Sequence, residues 1–210
     1  MPNEKCPPWD ASKGFDGVFV SQLVAAYMDG VSTAKRKMTE LSDVKRWHAT
    51  TFKDHTPTDH DYYAGNFRQV DSARPCLNGV VKVGGISGAA PNQVLVQMES
   101  LFADARNSFS IVELKWPTLN LRERAMYLAV IIGELVGRFI QIHPFRDGNG
   151  RISRILWAVA LTRYGVNPQC RLHPRPGDLT PYAEIMKHCM SGDFKPLQLE
   201  ILKYLSLIHI

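Results

Sequence analysis

Twelve consecutive residues, His143-Pro144-Phe145-Arg146-Asp147-Gly148-Asn149-Gly150-Arg151-Ile152-Ser153-Arg154, carry most of the groups in this 210-residue chain that can do chemistry. An imidazole can take a proton near neutral pH. A carboxylate four residues on suits a hard cation such as Mg²⁺, which takes one or two carboxylates and fills its shell with phosphate oxygens and water. Gly148 and Gly150 let a backbone come close to a phosphate, and two guanidinium forks, Arg151 and Arg154, match its oxygens bidentately. The set reads as a polyphosphate cradle with one adjacent base.

The elements on either side fix this stretch in space. From Leu121 to Ile142, apolar residues recur at spacings of three and four (Leu121, Ala125, Leu128, Ala129, Ile132, Leu135, Val136, Phe139, Ile142), which predicts a long core helix. Asn120 with Glu123 three residues later is its N-terminal signature. His143 ends it, because Pro144 cannot continue the ladder and biases its predecessor away from the helical region. A second stripe, Ile152, Ile155, Leu156, Val159 and Ala160, predicts a helix running to Gly165. Residues 147–150 then form the approach to a helix N-terminus, where bare N–H groups and the dipole favour an anion. Arg151 and Arg154 share one face of its first turns, where cations are unfavourable unless something negative offsets them.

The stretch resembles the signature of the Fic (Fic/Doc) family, His-x-Phe-x-Asp/Glu-Gly-Asn-Gly-Arg-x-x-Arg, at all eight specified positions: His143, Phe145, Asp147, Gly148, Asn149, Gly150, Arg151 and Arg154. A chance match in a chain of this size is on the order of 10⁻⁸. The resemblance implies a mainly α, compact Fic-type helical bundle with a small β-hairpin flap over the active site. It implies a protein AMP-transferase acting on a Ser, Thr or Tyr hydroxyl, with ATP as substrate and Mg²⁺ as cofactor. By position, His143 is the general base, Asp147 holds the metal, Gly148, Asn149 and Gly150 form the anion nest, and Arg151 and Arg154 neutralise the β and γ phosphates. Each residue also has an ordinary reading: a helix-terminal histidine as dipole cap, Asp147 as N-cap, arginines as a solvated face. Those readings do not explain why all occur together. A different transferred group, as in the kinase-like members, or a silent toxin-like nucleotide-binding module held by a partner, are the alternatives.

Composition sets the bounds. With 45% hydrophobic residues, the chain is expected to form an irregular arm over residues 1–14 and a single catalytic domain over 15–210. Net charge is +5, but Lys35-Arg36-Lys37 is the one basic run, so no nucleic-acid partner is expected. The 125–142 stretch is broken by Glu134 and Arg138 and reads as a buried helix, with no membrane partner. Residues 1–10 lack the apolar core of a signal peptide, and Cys6, Cys76, Cys170 and Cys189 lack any paired spacing. Free thiols and a cytoplasmic location are therefore expected, with export as an effector the other course.

Elsewhere, helices are predicted over about Val18–Met28, closed by Asp29-Gly30, over Ser42–Phe52 with Ser42 as N-cap, and over Gln93–Arg106. His48 lies where the family often carries a histidine, and packing is its expected role. His55 and His60, in a polar proline-containing loop, lack a third spaced metal ligand. Gly65-Asn66-Phe67-Arg68 and the glycine-punctuated run from Val80 to Ile86 resemble the family's Gly-x-Phe-Arg segment and flap. Val81, Lys82, Val83, Gly84 and Gly85 are the expected docking strand for the target protein, through strand addition. After a proline-rich loop, helices over Tyr182–Met190 and Pro196–Leu207 resemble the family's substrate-side elements. The family's inhibitory Ser/Thr-x-x-x-Glu-Gly/Asn motif has no clear match. Residues 12–17 offer Asp16 for the glutamate, and residues 180–184 offer Glu184 without the following Gly or Asn. An antitoxin-like inhibitory protein, or no such control, is expected instead, and AMP removal is not.

Overall fold

The computed structural model describes residues 6–10, 16–166 and 181–207. It is a helical bundle with one small hairpin. In chain order the helices are α1 (Gly17–Ala34), α2 (Leu41–Phe52), α3 (Pro91–Lys115), α4 (Leu121–Ile142), α5 (Asn149–Arg163), α6 (Pro181–Met190) and α7 (Lys195–Leu207). The hairpin pairs β1 (Lys82–Val83) with β2 (Ile86–Ser87) antiparallel. Its two-residue loop, Gly84-Gly85, has positive φ at both positions, the turn whose twist matches that of paired strands.

The α4 helix is the axis. Asn120 and Glu123 form the predicted capping box, each side chain bonded to the other's backbone N–H. By length and composition α4 is apolar enough to cross a membrane, but α3, α5, α6 and α7 pack around it and bury its stripe from Ala125 to Ile142. The α1 helix packs on α2 and α5, closing the far side of the bundle. Phe19, Leu23, Trp47, Phe52, Phe139, Phe145 and Leu156 meet in the shared core, each almost fully buried.

Several boundaries differ from expectation, each for a tertiary reason. The α1 helix runs through Gly30 to Ala34 because Gly30 is where Val159 of α5 and Trp47 of α2 press against it; a methyl there would lie 2.5 Å from Val159 Cγ2. Glu40, not Ser42, starts α2, in a capping box with Asp43, whose carboxylate also takes Lys37 and Arg46. The α3 helix begins with Pro91 at its first position and continues to Lys115, where Val112 and Phe109 extend its buried face. The expectation of free thiols is overturned at two of four cysteines: Cys6 and Cys76 form a disulfide across 70 residues, while Cys189 is a buried free thiol. Cys170, most of the proline-rich loop and residues 12–15 of the first inhibitory match lie outside the described residues.

Candidate active site

The α4 helix ends at His143, which adopts φ 53°, ψ 61°, the left-handed conformation of a helix terminus rather than the extended one that a following proline favours. That turn swings the chain into the loop 144–148 and so into α5. A non-glycine residue held there costs free energy, which the surroundings must offset.

They do so through one side chain. Arg68 is fully buried; its Nε donates to the His143 carbonyl (2.8 Å), one terminal nitrogen to the Ile142 carbonyl (2.9 Å), and the other to the Gly79 carbonyl (3.2 Å). Its backbone N–H donates to the Pro144 carbonyl at 2.7 Å. A cation thus satisfies the orphan carbonyls of a helix C-terminus, where the dipole favours positive charge. Burial and the neighbouring Arg146 charge lower its pKa to about 10, which leaves it cationic at neutral pH.

The rest of the loop is held in the same manner. Asn149 is 1% exposed, and its amide grips Phe145 twice: the oxygen accepts from the backbone N–H (2.9 Å) and the nitrogen donates to the carbonyl (3.0 Å). His48 accepts the Gly65 N–H at Nδ1 (2.9 Å), so Nε2 carries the proton that it donates to the Asp147 carbonyl (3.0 Å). Its ring stacks on Phe145 with centroids 3.7 Å apart. Burial pushes His48 down to about 3, against the pull of the Asp147 carbonyl, so it stays neutral. The packing expected of His48 is present, together with a grip on the signature loop that its sequence position did not reveal. Gly148 takes φ +81° against Phe52; a Cβ there would lie 2.4 Å from the ring.

The loop and the first turns of α5 open onto a cavity of about 530 Å³. His143, Asp147, Gly148, Asn149, Gly150, Arg151 and Arg154 all line it, so the structure brings together every signature residue predicted to do chemistry. Phe145 lies beneath, fully buried. Arg151 and Arg154 are mostly buried; Arg151 lies over the Phe19 ring (5.1 Å) and Arg154 over the Tyr182 ring (5.6 Å). Tyr182, Ala183 and Met186 of α6 form one wall, with Ile140. Of the expected docking strand, Lys82, Val83 and Gly84 line the mouth, while Val81 and Gly85 do not. The hairpin is tied to the end of α4, since the Ala89 N–H donates to the same Ile142 carbonyl that Arg68 holds.

His143 Nδ1 lies 3.2 Å from the Ile140 carbonyl, which places its proton on that nitrogen and leaves Nε2 as the acceptor. Burial lowers its pKa to about 4, the Arg68 charge adding to the effect and the Ile140 carbonyl opposing it. The ring is neutral and able to accept a proton at pH 7. Asp147 accepts the Gly148 N–H at Oδ1 (2.6 Å) and, with Asp10, supplies the carboxylates on the cavity wall. Among the described residues no three His, Cys, Asp or Glu groups gather to hold a metal by themselves, His55 and His60 included. One carboxylate beside a phosphate site is nevertheless a composition that Mg²⁺ accepts, its other ligands coming from phosphate and water. Glu184 pairs with Lys187 (3.0 Å), and Asp16 accepts the Phe19 N–H as the α1 cap.

A model of the Fic/DOC family matches residues 38–161. Among solved structures, the chain is similar to a Fic-domain-containing signalling protein from Bacteroides thetaiotaomicron (TM-score 0.62, 22% identity, 90% of this chain and 70% of that one). It is also similar to Fic-1 from C. elegans (TM-score 0.57, 21% identity, 93% of this chain and about half, 51%, of that one). A third likeness is to the N-terminal FIC domain of Bep8, a VirB-translocated effector from Bartonella sp. 1-1C (TM-score 0.56, 15% identity, 90% and 83%). A comparison with curated proteins gave no match.

Proposed function

Since the chain belongs to the Fic/DOC family, whose members transfer nucleotide monophosphate groups onto proteins, we propose that it moves AMP from ATP to a hydroxyl side chain of a target protein. The observation that carries this reading is the proton arrangement at His143: Nδ1–H committed to the Ile140 carbonyl, Nε2 left as acceptor, on the wall of a cavity shared with both signature arginines. His143 Nε2 takes the proton of the target Ser, Thr or Tyr hydroxyl as its oxygen attacks the α-phosphorus. The P–O bond to the β-phosphate breaks and pyrophosphate leaves. Amides of Asn149 and Gly150 face the phosphates, that of Gly148 being taken by Asp147 Oδ1, and Arg151 and Arg154 neutralise the β and γ groups. Asp147 is the residue that would hold Mg²⁺, which when bound supplies charge neutralisation to the phosphates. Positioning and charge stabilisation carry most of the rate in such transfers, with the base adding a smaller factor.

Lys82, Val83 and Gly84 at the mouth support docking of the target segment along the hairpin. The setting we propose is the cytoplasm, with an antitoxin-like protein as the candidate inhibitor. ATP labelled separately on the α and γ phosphates tests the reaction. Label from the α position on protein is the expected result; label from γ alone would make the enzyme a kinase, and label from neither a silent binding module.

A further inference from the structure

Among the described residues, the segment Cys6–Asp10 is the farthest from the signature in sequence, yet it reaches the same cavity. Asp10 lines the cavity together with Arg151, Arg154 and Asp147. Trp9 and Cys6 both attach the segment to the body of the protein. Trp9 packs its ring against Tyr63, Phe52 and His48, with centroids 5.4, 5.6 and 5.9 Å away, and donates its indole N–H to the His55 carbonyl at 2.8 Å. Cys6 is bonded to Cys76, in the turn Pro75–Asn78 just before the Gly79 carbonyl that Arg68 holds.

We propose that Cys6–Cys76 is a thiol–disulfide exchange site, and that its reduction by a dithiol releases the Trp9–Asp10 segment and strengthens polyphosphate binding in the cavity. The two sulfurs are unequal. Cys76 is 1% exposed while Cys6 is only partly buried, so an attacking thiolate reaches Cys6 Sγ and Cys76 is the leaving group. His60 stands beside that leaving group. Its Nδ1 donates to the Thr58 carbonyl (2.8 Å), which turns Nε2 toward Cys76 Sγ at 3.8 Å. The departing Cys76 thiolate takes a proton from solvent, with His60 Nε2 beside it. The second thiol of the reductant then attacks the mixed disulfide on the reductant's own sulfur and frees Cys6 as a thiolate that takes a proton from solvent. Two electrons and two protons pass from the dithiol, which leaves as a disulfide, to the two cysteines. Cys189 takes no part: it is buried, and burial pushes its thiol up to about 12.

The consequence for the cavity is electrostatic. A carboxylate lining the same cavity as Arg151 and Arg154 opposes a second anion there, and untethering it removes that opposition. The binding half of this proposal rests on the nucleotide reading of the cavity; the exchange and release half does not.

The test uses the full chain, oxidised and then treated with dithiothreitol. Alkylation under native conditions should trap Cys6 and Cys76 but not Cys189, and by NMR hydrogen exchange of the Trp9 indole N–H, bonded to the His55 carbonyl, should rise with the fold otherwise intact. A disulfide that opens only on unfolding, or exchange that does not rise, overturns the proposal. By calorimetry, the ATP analogue AMPPNP should bind roughly 3- to 10-fold tighter to the reduced form. Asp10→Asn should bind as tightly when oxidised and lose the redox dependence. Equal or weaker binding on reduction, or an Asp10→Asn variant that keeps the full dependence, also overturns it. No AMPPNP binding in any form would instead overturn the nucleotide reading, while alkylation and hydrogen exchange still decide the release.

Discussion

Below the cavity, the carbonyls of Ile142, His143, Pro144, Phe145 and Asp147 are each taken by a donor of Arg68, Asn149 or His48. Above it, Lys82 and the Gly84-Gly85 turn are exposed, and among the described residues the hairpin's two short strands pair only with each other. The floor is a fixed set of buried polar bonds; the rim is a short ribbon with an open edge. Such bonds are worth little over their hydrated state when made, but leaving one partner alone inside is costly. That asymmetry lets a few side chains fix the left-handed His143 and the loop behind it. A rim that must accept another protein's backbone gains nothing from being fixed in that way.

Breaking the floor at its chemical group should have the largest effect. Replacing His143 by Ala removes the acceptor and should lower transfer by about 10²- to 10⁴-fold, while calorimetry still detects ATP binding. Comparable loss of binding would mean that the ring holds the nucleotide rather than the proton. Arg68→Met takes three buried bonds from the floor and should cost about 3–5 kcal/mol, a fall in Tm of roughly 10 °C by calorimetry. An unchanged Tm would show that the floor is not held as described.

Acid should act on the floor as well. His48 and His143 have folded-state pKa values lowered to about 3 and about 4, below the ordinary 6.5. The unfolded chain therefore binds more protons between these values, and stability present above pH 6.5 is lost as pH falls through that window. Chemical denaturation from pH 7 to 4.5 should show the loss, and His48→Gln should remove part of the slope. At the phosphate end, Arg154→Ala should weaken ATP more than AMP, by an amount that titration of both ligands reads; equal weakening would detach it from the terminal phosphates. The smallest effect belongs to the rim: Lys82→Ala should change stability by less than about 0.5 kcal/mol.

The same contrast governs what the sequence made legible. The chemical residues are contiguous and the α4 helix announces itself by period and by Asn120 with Glu123, so signature, helix and cap could be read directly. Arg68 could not be assigned its carbonyls, because they lie 74 and 75 residues away and no local pattern encodes them. The Cys6–Cys76 bond escaped for the same reason, spacing being silent about pairs that only the fold brings together. Gly30 read as a stop because its compensation, the pressure of Val159 and Trp47, is tertiary, and Glu40 was passed over because Ser42 is the better cap in isolation.

The face of α4 that meets α7 holds a constraint outside the loop. At Gly133 an added methyl would lie 2.5 Å from Gln198 Cγ, and at Gly137 it would lie 2.5 Å from the Phe194 ring. These two positions set the spacing between α4 and the start of α7, about three and two turns before the helix delivers His143. A methyl there acts as a shim: it tips the helix about its middle and carries the imbalance to its far end. Substitutions at this packed seam, which touch neither nucleotide nor target, should therefore disturb the helix that presents the imidazole.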